Sequence, residues 1–101
     1  MSHKTLMTTY DQIATKIIKE QEQLMGPVAW YEAAKVAGLN IIDKKTGDVS
    51  IGENSDNLAV IDDLVNKYGG LFGRAAREVC REATISLIAD LSPAEVPSSL
   101  R

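Results

Sequence analysis

Apolar side chains recur every three to four positions over most of this chain, and the period drops to two only once. From Thr8 to Met25, Tyr10, Ile13, Ile17, Gln21 and Leu24 make one face, while Lys16, Lys19, Glu20, Glu22 and Gln23 fill the rest. That is the pattern of an amphipathic helix. Thr8 or Thr9 is placed to cap it, with Asp11 able to reach back from the first turn. Gly26 ends the helix, and Pro27 suits the first position of the next, where its missing N–H costs nothing. "PVAWYEAAKVAG" follows as a shorter, Ala-rich helix closed by Gly38.

The runs "LNIID" and "DVSIG" then alternate around "KKTG", which predicts a β-hairpin near 39–52 with Gly47 at positive φ in the turn. Helix resumes behind Ser55 or Asp56 as cap, with Leu58, Ile61, Leu64, Val65 and Tyr68 on one side. The Gly69–Gly70 pair is expected to break it. "LFGRAAREVCREATISLIADL" reads as the last helix, with Ala76, Val79, Cys80, Ala83 and Leu87 at helical spacing. Residues 1–7 read as a flexible lead-in, 8–91 as a single helical domain, and 92–101 as a tail that either dangles or docks.

The chain also repeats itself. Laying "IIKEQEQLMGPVA" over "LVNKYGGLFGRAA", 47 residues on, pairs Ile17 with Leu64, Ile18 with Val65, Leu24 with Leu71, Gly26 with Gly73 and Ala29 with Ala76. The alignment extends upstream to Ile13 with Val60 and downstream to Ala33 with Cys80 and Val36 with Ala83. Each copy is an amphipathic helix, a bulky apolar pair, a glycine, and a second helix whose inner residues are small enough for close approach. The predicted fold class is therefore mainly α: two αα-hairpins, a pseudo-repeat, joined by a short β-hairpin. Gly26 and Gly73 mark the turns between helices, and the pairs Leu24–Met25 and Leu71–Phe72 are expected to pin the core.

Charge narrows the function. The chain of 101 residues has a formal net charge of −3. Its first fifty residues balance, so the acidic excess lies wholly in the second half. Binding to nucleic acid draws most of its affinity from a basic excess that is missing here. A single cysteine, Cys80, excludes an internal disulfide and a Cys-rich zinc site. There is no apolar leader and no run of eighteen apolar residues, so the expectation is a cytoplasmic chain with a reduced thiol and no membrane insertion.

Catalytic chemistry finds little to stand on. His3, the only histidine, lies in the lead-in, and Cys80 falls on the apolar stripe of the last helix, where a thiol serves as a small hydrophobe. "DKKTGDVSIGE" has the flavour of a calcium loop. Starting at Asp43, however, its third, fifth and twelfth positions are Lys45, Gly47 and Asn54, so three ligands fail. No metal or cofactor is expected. "NKYGGLFGRAAREVCRE" shares the grammar of a helix-turn-helix presenting Arg74, Arg77 and Arg81, but Glu78 and Glu82 interleave and pair within the helix. Trp30 and Tyr31, adjacent on an Ala-rich helix, are aromatic groups with a polar handle, a type favoured at interfaces.

The stretch Leu24–Ala29, "LMGPVA", carries an L-x-G-P-[VI]-A phrase that opens a helix. It resembles a signature of small helical modules appended to bacterial signalling proteins such as receptor-like kinases. That resemblance implies a non-catalytic accessory or interaction domain. The expectation is thus a non-enzymatic protein–protein interaction or regulatory module, a homodimer or a subunit of a bacterial signalling assembly. Trp30, Tyr31, Tyr68 and Phe72 would be the partner-binding anchors, and Arg74 and Arg77 would set the partner's sign. The alternatives are a DNA-binding transcriptional regulator using residues 62–86 as a helix-turn-helix, and a small-ligand or anion sensor with a cleft between the hairpins.

Overall fold

The structure, a computed structural model, describes residues 8–43 and 45–101; the lead-in expected over residues 1–7, with His3, lies outside them. The elements are α1 (Thr9–Met25), α2 (Val28–Ala34), β1 (Leu39–Asp43), β2 (Asp48–Ile51) and α3 (Asn57–Ile88). Two 3₁₀ turns, Pro93–Glu95 and Ser98–Leu100, complete the chain. It is mainly helical, with one small two-stranded antiparallel sheet.

The local signals act where they stand. Thr8 Oγ1 accepts from the Asp11 amide at 3.1 Å, and the Asp11 carboxylate accepts from the Thr8 amide at 3.0 Å, a complete capping box. Asp11 has a second task that its sequence position does not announce. Its other carboxylate oxygen accepts from the Ile51 amide at 2.8 Å and ties β2 to the start of α1. Asp56 caps α3 through the amides of Leu58 and Ala59. The hairpin pairs Leu39 with Ile51 and Ile41 with Val49, with an irregularity before Asp43.

The core gathers Ile13, Ile17 and Ile18 of α1, Ala29, Trp30 and Ala33 of α2, and Ile61, Leu64, Val65 and Tyr68 of α3, with Ala76 and Cys80 further along α3. Two expectations fail at the helix ends. Leu24, Leu71 and Phe72 are not core pins, for they stand 61%, 48% and 55% exposed. The reason is the bend at Gly26: it folds α2 back, so Ala29, Trp30 and Ala33 take the inward positions and Leu24 is left outside.

The break in α3 falls at Gly73, the turn that the sequence marks, and not at the Gly69–Gly70 pair. Gly69 and Gly70 stay helical, and only Gly73 leaves helical geometry, at φ 68° and ψ −146°. A glycine inside a helix costs no more than about 1 kcal/mol, which a packed apolar stripe readily offsets. Gly69 is small because Arg77 returns across the bend. A Cβ at Gly69 would lie 2.5 Å from the guanidinium carbon, and the Arg77 Nη1 donates to Asn66 Oδ1 at 2.9 Å. Residues 62–86 thus form two helical segments that meet at a single non-helical residue, Gly73.

The tail docks. Pro97 and Leu100 are buried, and Asp62 of α3 accepts from the Ser98 hydroxyl (3.1 Å) and from the amide (3.0 Å) and hydroxyl (2.5 Å) of Ser99. Tyr10 adds a bond from its hydroxyl to the Glu95 carbonyl at 2.7 Å.

Candidate functional site

Two hydrogen bonds locate both bends at one end of the molecule. The Gln21 side chain in α1 donates to the carbonyl of Ala76, three residues past Gly73, at 2.9 Å. The Tyr68 hydroxyl in α3 donates to the carbonyl of Ala29, three residues past Gly26, at 2.7 Å. Lys16 and Glu20 line a shallow cleft with Val79, Glu82 and Ala83, so α1 runs antiparallel to the second half of α3. The C-terminal end of α1 therefore meets the Gly73 bend, and the first half of α3 approaches the Gly26 bend. The two glycines even share backbone angles, φ 68° and ψ −150° at Gly26 against φ 68° and ψ −146° at Gly73. A side chain there would be strained by the positive φ, although open space surrounds both positions.

Around these bends stand Leu24, Val28, Tyr31, Leu71 and Phe72, each at least 43% exposed. Met25 is half-buried against the core beside them. The remaining large exposed apolar residues, Ile42 in β1 and Ile85 late in α3, lie away from the bends. An apolar group of this kind at one end of a small domain marks an interaction surface.

The residues singled out in the sequence divide sharply. Tyr31 and Phe72 are on this end and exposed. Arg74 is exposed directly behind Gly73. Trp30 and Tyr68 are buried, at 5% and 0% exposure, and offer nothing to a partner. Tyr68 lies on the inner stripe set by Leu64 and Val65, and its hydroxyl is satisfied inside by Ala29. Arg77 is folded back onto Gly69 and Asn66, so it braces the bend instead of facing outward. Leu24, Val28 and Leu71 belong to the surface although their spacing put two of them in the core.

Reactive chemistry is suppressed where it can be read. Cys80 is fully buried, and burial pushes its thiol up to about 11 against the weaker opposing pulls of the Gln21 hydrogen bond and the Arg77 charge. A thiol so placed stays protonated and unreactive at neutral pH. Burial likewise raises Tyr68, with the Cys80 and Glu32 charges adding to it. Among the described residues no group of three or more His, Cys, Asp or Glu side chains is arranged to hold a metal ion. No helix among them is long and apolar enough to cross a membrane. A second shallow cleft of about 450 Å³, between α2 and α3, is lined by Lys35, Val36, Ala37, Asp63, Asn66 and Lys67. Its charges are surface groups of mixed sign. No family model, curated protein or solved structure matches the chain.

Proposed function

We propose that this chain is a non-enzymatic protein–protein interaction or regulatory module that works through the end formed by its two bends. The observation that carries the reading is the gathering of Leu24, Val28, Tyr31, Leu71 and Phe72, exposed, at one end of a domain whose inner stripe is closed. Burying such a group on a partner removes apolar area from water at roughly 25 cal/mol per Å².

The module is built from two copies of one helix–glycine–helix unit related by an approximate two-fold. The matching angles of Gly26 and Gly73 support this. So does burial, which agrees at the paired positions Ile13 and Val60, Ile17 and Leu64, Ile18 and Val65, Ala29 and Ala76, and Ala33 and Cys80. The two bridging hydrogen bonds are reciprocal as well: Gln21 and Tyr68 are equivalent in the repeat, and so are their acceptors Ala76 and Ala29. The resemblance of "LMGPVA" to modules of bacterial signalling proteins suggests the setting, a signalling assembly in the cytoplasm.

The test is a pull-down with the tagged full chain from host lysate, with a nuclease-treated sample alongside and with Tyr31→Arg and Phe72→Glu as face variants. A stoichiometric protein partner that survives nuclease and is lost with either variant is the expected result. Recovery that depends on intact nucleic acid, or capture indifferent to both variants, would refute the reading.

A further inference from the structure

We propose that the occupant of this end is a second copy of the chain, docked so that the Gly26 bend of one copy meets the Gly73 bend of the other. The inference rests on the interaction-module reading and adds the identity and register of the partner.

Three features point to a second copy. The first is symmetry. Leu24 and Leu71, and Met25 and Phe72, stand at equivalent positions on either side of one approximate axis, so the end presents a leucine-led apolar pair twice, with Val28 and Tyr31 standing opposite Ala75 and Glu78. A partner with two like patches fills both at once, and closed homodimers are made of such self-complementary contacts.

The second is charge. Two positions that the repeat does not share carry opposite charges, one on each half. Glu22 stands one turn before Gly26, and Gly69 occupies its equivalent place; Arg74 follows Gly73, and Pro27 occupies its place. Both charged residues are exposed, and among the described residues neither enters an ion pair, whereas Lys16–Glu20, Lys35–Glu32 and Arg81–Glu78 do. Docking bend on opposite bend brings the Arg74 of each copy to the Glu22 of the other, two pairs for each dimer. Docking like bend on like bend leaves all four charges unmatched.

The third is area. Five large side chains about half exposed supply on the order of 500 Å² of apolar surface, the upper part of what a monomer ordinarily shows. With the charged rim the end approaches the roughly 800 Å² per partner of a standard interface. An apolar centre with a polar rim is the anatomy of such contacts.

Sedimentation of the full chain over a micromolar concentration series, at low and moderate salt, decides the matter. The expected result is a reversible dimer abolished by Phe72→Glu. Glu22→Arg or Arg74→Glu alone should weaken it roughly tenfold, since two rim pairs become two repulsions. The doubly reversed Glu22→Arg/Arg74→Glu chain should recover the dimer. All three positions are exposed, so melting followed by circular dichroism should show unchanged folding in every variant. A chain monomeric at all concentrations overturns the inference; if Phe72→Glu still abolishes capture of a different protein, the broader reading survives alone. A dimer insensitive to Phe72→Glu, or a double reversal that fails to restore association, also overturns it.

Discussion

Gln21→Met should stabilise this protein, although substitutions of buried residues ordinarily do the reverse. Gln21 is fully buried between α1 and α3. Its amide nitrogen donates to the Ala76 carbonyl at 2.9 Å and to the Cys80 sulfur at 3.3 Å, while its amide oxygen has no hydrogen-bond partner among the described residues. The Ala76 carbonyl lies within α3, where the helical ladder supplies a donor four residues on, so losing Gln21 orphans nothing there. The bond lost is then worth about 1 kcal/mol, and the desolvation cost of a buried acceptor, about 1–3 kcal/mol, is relieved. Methionine fills the same volume with an unbranched, adaptable side chain. The net expectation is a gain of about 1 kcal/mol, read as a rise in Tm of roughly 5 °C for a domain of this size. Gln21→Ala also removes the amide but leaves a hole, and it should instead cost about 1–3 kcal/mol. Thermal melts and urea titrations of the three chains provide the assay. A Tm for Gln21→Met some 5 °C below that of the parent would refute the reasoning, because it would mean that the amide oxygen is satisfied, by an internal water for example, and that the amide holds α1 to α3.

Three further outcomes follow from named contacts. Because burial pushes the folded Cys80 thiol up to about 11, above its ordinary value of 9.0, the unfolded chain loses that proton first; stability should hold up to about pH 9 and then fall by about 2–3 kcal/mol by pH 11, and Cys80→Ala should abolish the part of the fall below about pH 10, above which the raised Tyr68 hydroxyl still drives a decline, as urea titrations at stepped pH will show. Asp62→Ala removes the acceptor of Ser98 and Ser99 and should cost about 1 kcal/mol, with fast hydrogen exchange appearing at the Ser99 amide while the α1 amides stay protected. The glycines of α3 should sort by geometry in melting experiments: Gly73→Ala costs about 1–3 kcal/mol through its positive φ, Gly69→Ala stays within about 0.5 kcal/mol because moving the flexible end of Arg77 off Asn66 offsets the helical gain, and Gly70→Ala, helical with open space around it, gains about 0.5–1 kcal/mol.

What the sequence made legible was local. The capping box of Thr8 and Asp11, the Asp56 cap and the hairpin turn depend on residues within a few positions of one another, and they occur where such chemistry places them. The inner stripes were legible for the same reason, since helical periodicity fixes which face turns inward. It does not fix where along that face the covering neighbours stop. Leu24 and Leu71 continue their stripes in register, yet they fall beyond the last residues that cover them, so the same spacing that predicts a core pin yields an exposed side chain. The bend at Gly73 was legible from its match to Gly26, whereas the Gly69–Gly70 pair, which reads as a break, is helical, with Arg77 lying across Gly69. Tyr68 and Asp62 depend on partners 39 and 37 residues away, Ala29 and Ser99, and nothing in their neighbourhoods announces them.

These misplacements converge on the bends. Tyr68, which would have been an anchor for a partner, is spent on holding the two halves together, and Arg77 is spent on bracing the second bend. Leu24, Leu71 and Phe72, which would have held the core, are released to the surface. Asp11 binds the hairpin at the far end of α1 and Asp62 holds the tail along α3, while the bonds beside the bends, from Gln21 and Tyr68, are made by fully buried side chains and not by the exposed group. A polar substitution at Leu71 or Phe72 therefore removes no internal hydrogen bond and should stay within about 0.5 kcal/mol of the parent's stability. Loss of association in such a variant is then loss of a docking surface and not of the fold, and for this reason the two-bend end is a place where function can be tested without confusing it with folding.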